Sequence, residues 1–250
     1  MVKCSILIPI LNGEEHLSGL LNSIDRQKGI SKNDLEVIAG IHPQTTDRSK
    51  EIAAAYGCKI VAGGLPAVGR NRAADVATGD ILVSKDADSI FPRPYFLSSA
   101  LYEFEKRKLD VATPLYYAST SKNGFAKKRY EWYIERANKA TEKAENTDSP
   151  LMMNCMFARR NVHKALKGFD ENLEFGEDAE FAKRAKQAGY NFGLLRVCGK
   201  IGFSMRKAEK SLLDELKWLA MNVYFTTGRR FNHEFRRGEK LIVSYWENNQ

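Results

Sequence analysis

Three stretches of this chain are apolar almost without interruption: Cys4–Pro9 (CSILIP), Leu35–Ile41 (LEVIAGI) and Asp80–Ser84 (DILVS). A strand with one wet face alternates apolar and polar residues, whereas a strand covered on both faces does not. Segments of helical period run between them. Glu14–Gln27 carries Leu17, Leu20, Leu21 and Ile24 along one side. RSKEIAAAYG follows Asp47 at an N-cap position and closes at Gly57, and Val68–Ala77 is a third helical segment. A short strand at Lys59–Ala62, a helix over Pro94–Lys108 and a strand at Asp110–Pro114 complete the series. Strand–helix alternation of this kind points to a doubly wound, mostly parallel α/β sheet with helices on both faces. Such sheets bind ligands beyond the carboxyl ends of their strands. There this chain carries Asn12, Gly13, His42–Asp47 and Asp86–Asp88.

The second half is less regular. A charged helix is expected over Phe125–Asn146, a strand over Met152–Ala158, a helix over Gly176–Gly189 and a strand over Asn191–Val197. The aromatics of the first of these can stack on a sugar, cover a lipid or pack against the sheet, and Trp132 is expected to pack. Ser211–Thr227 reads as an amphipathic helix, followed by the basic, aromatic segment GRRFNHEFRRGEK. The division expected is a core over residues 1–205, with a polar seam after residue 117, and a basic extension over 206–250. That extension, apolar on one face and rich in arginine, makes an anionic membrane surface a candidate partner. A helix packed on the core or in a dimer fits the same residues.

Composition narrows the class. With 250 residues and 43% hydrophobic content the chain has matter for a large core, which excludes a disordered polymer. No apolar run approaches the roughly 18 residues of a membrane span. The opening MVKCSILIPILNG reaches Pro9 and Asn12 too early for a signal peptide and reads as a first strand. The cysteines at 4, 58, 155 and 198 form no CxxC pair, which suits a reducing, cytoplasmic setting. The net charge of +8 allows a nucleotide, a nucleic acid or an anionic membrane as partner. No nucleic-acid-binding motif accompanies it, so none is expected as a ligand.

Asp86-Ala87-Asp88 is the sharpest local feature. Two carboxylates just past a buried strand repel one another unless a cation neutralises them, and oxygen ligands of this kind suit Mg2+ or Mn2+. A solvated turn, with Asp88 capping a helix after Ser89, is the competing reading. Glu177 and Asp178 open a helix, where the dipole alone favours acids. A carboxylate there can also serve as a general base. Gly64–Asn71 has the glycine spacing of a phosphate loop, but Arg70 and Asn71 stand where Lys and Ser/Thr are required. Arg70 can contact a phosphate or lie on the surface. The four histidines are isolated, so a zinc site is not expected.

Taken in order, four blocks resemble glycosyltransferase family 2, the inverting transferases of the GT-A fold. They are SILIPILNGEEHLSGLLNSIDRQ, LEVIAGIHPQTTDRSKEIAAAYG, VGRNRAADVATGDILVSKDAD and GFDENLEFGEDAEFAKRAKQAGY, and the likeness spans about residues 3–197. The resemblance implies a nucleotide-diphosphate sugar as donor and a carbohydrate or lipid-linked sugar as acceptor. It implies a divalent metal on Asp88, with Asp86 on the ribose or on metal-bound water. Asp178, beside Glu177, would deprotonate the acceptor hydroxyl. Asp47 and Arg70 would line the nucleotide pocket, and Pro9 and Asn12 would shape the first loop.

The chain departs from the family pattern at His42-Pro43-Gln44, where an aspartate is usual, and at Lys85, where an apolar residue is usual. Gly202–Arg206 also lacks the histidine that reaches the metal in many members. These departures sustain an alternative, a non-catalytic GT-A protein that binds a nucleotide or a polyanion.

Overall fold

The computed structural model describes residues 3–152, 154–173, 176–205, 209 and 211. The amphipathic and basic extension expected over 206–250 therefore lies almost wholly outside the described residues.

The elements follow the expected alternation through the first half. They are β1 (Cys4–Ile10), α1 (Glu14–Asp25), β2 (Leu35–Ile41), α2 (Ser49–Ala55), β3 (Lys59–Ala62), α3 (Pro66–Asp75), β4 (Ile81–Lys85), α4 (Phe96–Lys106) and β5 (Val111–Pro114). Then come β6 (Tyr116–Ser119), α5 (Gly124–Ala144), β7 (Cys155–Arg159), α6 (Arg160–Ala165), α7 (Glu177–Gln187), β8 (Phe192–Leu195) and β9 (Ile201–Ser204). α3 begins two residues earlier than expected because Pro66 stands in its first turn, where the missing N–H costs nothing. No helix follows Ser89, so Asp88 caps none; Ser89 N–H instead donates to Asp86 O in a turn.

Seven strands form one sheet in the order β3-β2-β1-β4-β7-β5-β8, and β6 pairs with β9 apart from it. β3, β2, β1 and β4 are parallel neighbours, as are β5 and β8. β7 is antiparallel to both β4 and β5, with Lys85 opposite Cys155. β4 is buried along its whole length. Its Ile81 and Val83 join the core beneath α1, α4 and α5, while Leu82 packs with Ala73 and Ala74 of α3 and with Ala77 just after it on the other face. A second core on that face gathers Val162, Phe169, Phe181 and Ala185, under α6 and α7. The cysteines are free thiols. Among the described residues, no helix is long and apolar enough to cross a membrane.

One close approach positions the site. A Cβ on Gly40 of β2 would come within 2.7 Å of the Gly69 carbonyl oxygen of α3. Without side chains between them, the backbone of α3 lies directly on the sheet, and the next residue, Arg70, is carried to the carboxyl ends of the strands.

Candidate active site

Arg70 is the hub. Its side chain is 2% exposed, and its guanidinium donates through one nitrogen to Asp86 Oδ1 at 2.6 Å and through the other to Glu177 Oε1. Asp178 Oδ1 lies 3.6 Å from that second nitrogen. The expectation that Arg70 could be an ordinary surface arginine is thereby set aside. Burial opposes its charge, but Asp178, Glu177 and Asp86 together outweigh that effect and hold the guanidinium protonated.

The three carboxylates come from two distant parts of the chain, and local chemistry delivers each one. Asp86 follows β4 directly. Glu177 and Asp178 open α7 after Gly176, whose φ of +80° turns the chain into the helix. Asn71, next to Arg70, ties the two regions together. Its Nδ2 donates to Phe169 O and its Oδ1 accepts from Phe169 N–H, both at 2.9 Å. Gly168 makes that clasp possible: its φ is +72°, and a Cβ there would lie 2.5 Å from Asn71 Oδ1. Phe169 stacks against Phe181 of α7, with centroids 5.1 Å apart, and the Arg70 guanidinium lies over the Phe169 ring. The R-N, G-F and E-D residues of two sequence blocks thus form one packed unit.

Electrostatics separates the carboxylates. Asp86 keeps 39% of its side chain exposed at the mouth, while Glu177 and Asp178 lie beneath at 8% and 11%. Burial, opposed by Arg70 and reinforced by Glu177 and Asp86, pushes Asp178 up to about 8. Asp86 is also raised, by withdrawal from water and by the nearby charge of Asp88, with Arg70 pulling the other way. Asp178 Oδ1 has no hydrogen-bond partner among the described residues.

Lys85 is a member of this site that sequence reasoning did not place in it. It ends β4, is fully buried, and its Nζ finds no hydrogen-bond partner among the described residues. Burial pulls it below the ordinary lysine value, and Cys155, Asp86 and Asp88 only partly restore it. The signal available in the sequence was a lysine closing an otherwise apolar strand. Ser89 Oγ donates to Gly202 O at 2.5 Å and Asn154 Nδ2 approaches the same oxygen, which fastens β9 beside the D-A-D turn.

The remaining candidates sit at the ends of β1 and β2. Pro9 faces Gly40 across the β1–β2 ladder. Asn12 adopts φ +46°, and its Oδ1 accepts from Thr46 N–H at 3.0 Å. Asp47 accepts from Glu14 N–H at 2.8 Å, from Ser49 N–H at 3.0 Å and from Ser49 Oγ at 2.5 Å. Partial burial works the other way, yet these hydrogen bonds hold its carboxyl below the usual aspartate range. Both oxygens of Asp47 thus fasten the β1–α1 loop to the start of α2.

A divalent cation fits the chemistry of this donor set. Four carboxylates, Asp86, Asp88, Glu177 and Asp178, face two basic side chains, Arg70 and Lys85. Asp86 and Asp88 feel one another's charge at the open end. No group of three or more His, Cys, Asp or Glu side chains is gathered as a ready-made cage among the described residues. A metal held here would draw its remaining ligands from substrate phosphate and water, as Mg2+ and Mn2+ commonly do.

Residues 5–166 match the family model for glycosyl transferase family 2. The chain belongs to this family. No curated protein matches it. Solved structures do, at low identity. Staphylococcus aureus TarS in complex with UDP is 19% identical, with a TM-score of 0.62 over 89% of this chain and 65% of that one. The mannosyltransferase PcManGT from Pyrobaculum calidifontis, solved with GDP-Man and Mn2+, gives 16%, 0.68, 92% and 65%. Glucosyl-3-phosphoglycerate synthase from Mycobacterium tuberculosis, with Mn2+, UDP and phosphoglyceric acid, gives 16%, 0.59, 91% and 79%. The chain thus spans less than two thirds of the TarS and PcManGT chains. The family 2 chain has the GT-A fold of these neighbours.

Proposed function

We propose that this family 2 chain is an inverting glycosyltransferase that moves a sugar from a nucleotide-diphosphate sugar to a hydroxyl of a carbohydrate or lipid-linked acceptor. The observation that carries the reading is the single buried arginine joining a strand-end aspartate to the E-D pair of α7. That link holds a donor-side carboxylate and a raised, partly unsatisfied carboxylate in one crevice.

Asp178 is the general base. Raised to about 8, it is a stronger proton acceptor than an ordinary aspartate, and the ionised fraction that can act as base grows as pH rises towards that value. As the acceptor oxygen attacks the anomeric carbon, Asp178 takes the hydroxyl proton. The bond to the diphosphate breaks on the opposite face, and its electron pair leaves with the nucleoside diphosphate. Arg70 and Glu177 orient Asp178. Asp88 and Asp86 would hold Mn2+ or Mg2+, which neutralises charge on the leaving diphosphate. Pro9, Asn12 and Asp47 shape the nucleotide pocket, the aspartate by fixing the loop above it.

The test is a thermal-shift series with UDP-, GDP-, CDP- and dTDP-sugars, with and without Mn2+. A donor at about 100 times its dissociation constant stabilises the folded state by roughly 2.7 kcal/mol. The expected result is a Mn2+-dependent shift with one donor class, lost in Asp88→Ala and kept in Asp178→Asn. Transfer by the latter should fall about 10²–10⁴-fold. No shift with any donor would assign the chain to the non-catalytic alternative.

A further inference from the structure

The outer face of α5 takes no part in the site described above. The helix is anchored on its other side by Tyr130, Ile134, Asn138, Thr141 and Ala144, all buried. Asn138 clasps β6, its Oδ1 accepting from Tyr116 N–H and its Nδ2 donating to Tyr116 O. At about 100° per residue, Phe125, Trp132, Arg136 and Lys143 fall within about 20° of one line opposite that buried row. Lys128, Arg129 and Lys139 lie within about 60° of the line. The acids of the helix, Glu131, Glu135 and Glu142, all lie on one flank, about 80–120° away.

This face is not a folded surface left polar. Phe125 is 78% exposed and Trp132 54% exposed, which corrects the expectation that Trp132 packs on the sheet. The Arg129 guanidinium lies 5.7 Å from the Phe125 ring centroid, and that of Arg136 lies 4.9 Å from Trp132. Trp132 and Tyr133 meet edge to face at 5.3 Å, beside a shallow hollow of about 310 Å3 that reaches Phe125. Aromatic rings with apolar bodies, set among cations with the acids confined to one flank, are the composition of a helix lying in the headgroup region of a bilayer. The exposed Phe125 and Trp132 rings lie on the same line of the helix as its cations, which suits a partner with an apolar layer beneath a charged one.

We infer that the outer face of α5 docks on a membrane surface rich in anionic phospholipid. Phe125 and Trp132 enter the acyl–headgroup boundary, and Lys128, Arg129, Arg136, Lys139 and Lys143 lie against lipid phosphates. The helix of 21 residues is about 30 Å long and can lie flat along the surface. The inference is independent of the reaction, and it concerns a different surface from the basic sequence after residue 206.

Cosedimentation of the full chain with vesicles tests it, at near-physiological salt. Phosphatidylcholine alone and phosphatidylcholine mixed with phosphatidylglycerol are the two compositions. The intact chain should bind the anionic vesicles and not the neutral ones. Arg129→Glu with Arg136→Glu, and separately Phe125→Ala with Trp132→Ala, should each weaken that binding by about tenfold or more. Lys50→Glu with Lys164→Glu makes the same charge change on other elements and should leave most binding intact, and melting curves confirm that all variants are folded. No binding by the intact chain would overturn the inference. So would equal losses in the control pair, or binding unaffected by both α5 variants. Capture by single-stranded RNA or heparin, weakened by the α5 charge variants, with no vesicle binding would assign the face to a soluble polyanion instead.

Discussion

Arg70 faces Asp86, Glu177 and Asp178 at once, and among the described residues no second ion pair reaches any of the three. Removing one partner of a buried ion cluster leaves uncompensated charge, which typically costs about 3–5 kcal/mol. Arg70→Met should therefore lower the unfolding free energy by that amount, read as a lower urea midpoint at unchanged slope. A loss below about 1 kcal/mol would mean that the acids are neutral or otherwise paired without it. Asp86, Asp88 and the E-D pair were legible in the sequence because their residue types and positions after a strand or before a helix limit what they can do. Arg70 was legible as a candidate but not as a hub, since the same residue at the second turn of a helix is more often solvated. What decides between those outcomes is the approach of α3 to β2, which needs Gly40 of a distant strand as well as Gly69 beside Arg70. Lys85 was noticed only as a departure; its burial depends on the strands on either side.

The elements of the first half were readable almost to their ends, because strands buried on both faces and helices with one apolar side have distinct periods. β2 and β3 match the expectation at both boundaries. β6 and β9 were not read, since each is four residues long and their pairing joins positions about 85 residues apart. Nor was the direction of β7, which periodicity does not encode. A different limit applies to Gly40. It looks like any glycine in a strand, yet it allows two backbones to meet, and Gly40→Ala would place a methyl 2.7 Å from the Gly69 oxygen. Overpacking of this kind costs about 1–3 kcal/mol. Equilibrium unfolding should show that loss, and donor binding should weaken with it, because α3 carries Arg70. Unchanged stability would mean that α3 shifts freely on the sheet.

At the scale of the whole molecule, acid stability divides between groups of opposite sign. His163 is buried between Phe169 and Phe181, and burial lowers it from 6.5 to about 4, with Asp75 opposing and Arg184 adding to the shift. Between those values the unfolded chain binds the extra proton. Stability from His163 is therefore present above pH 6.5 and lost as pH falls towards 4, by about 3 kcal/mol. Asp178 runs the other way: from its unfolded value near 3.8 up to about 8 the folded state holds the proton, so that contribution fades as pH rises. The difference in unfolding free energy between wild type and His163→Leu isolates the histidine. It should change by about 3 kcal/mol across pH 6.5 to 4, and a flat difference would show that the ring is hydrated. The GT-A class was legible at this scale because four blocks kept their order along the chain; the α5 surface was not, because its seven residues gain meaning only once the opposite face of the helix is known to be buried. The place of β7 has a consequence for synthesis. One edge of β4 waits for Cys155–Arg159, made about 70 residues later. At about 5–20 residues per second the nascent chain carries that open, largely apolar edge for several seconds on the ribosome. During that interval it is a natural binding site for a chaperone.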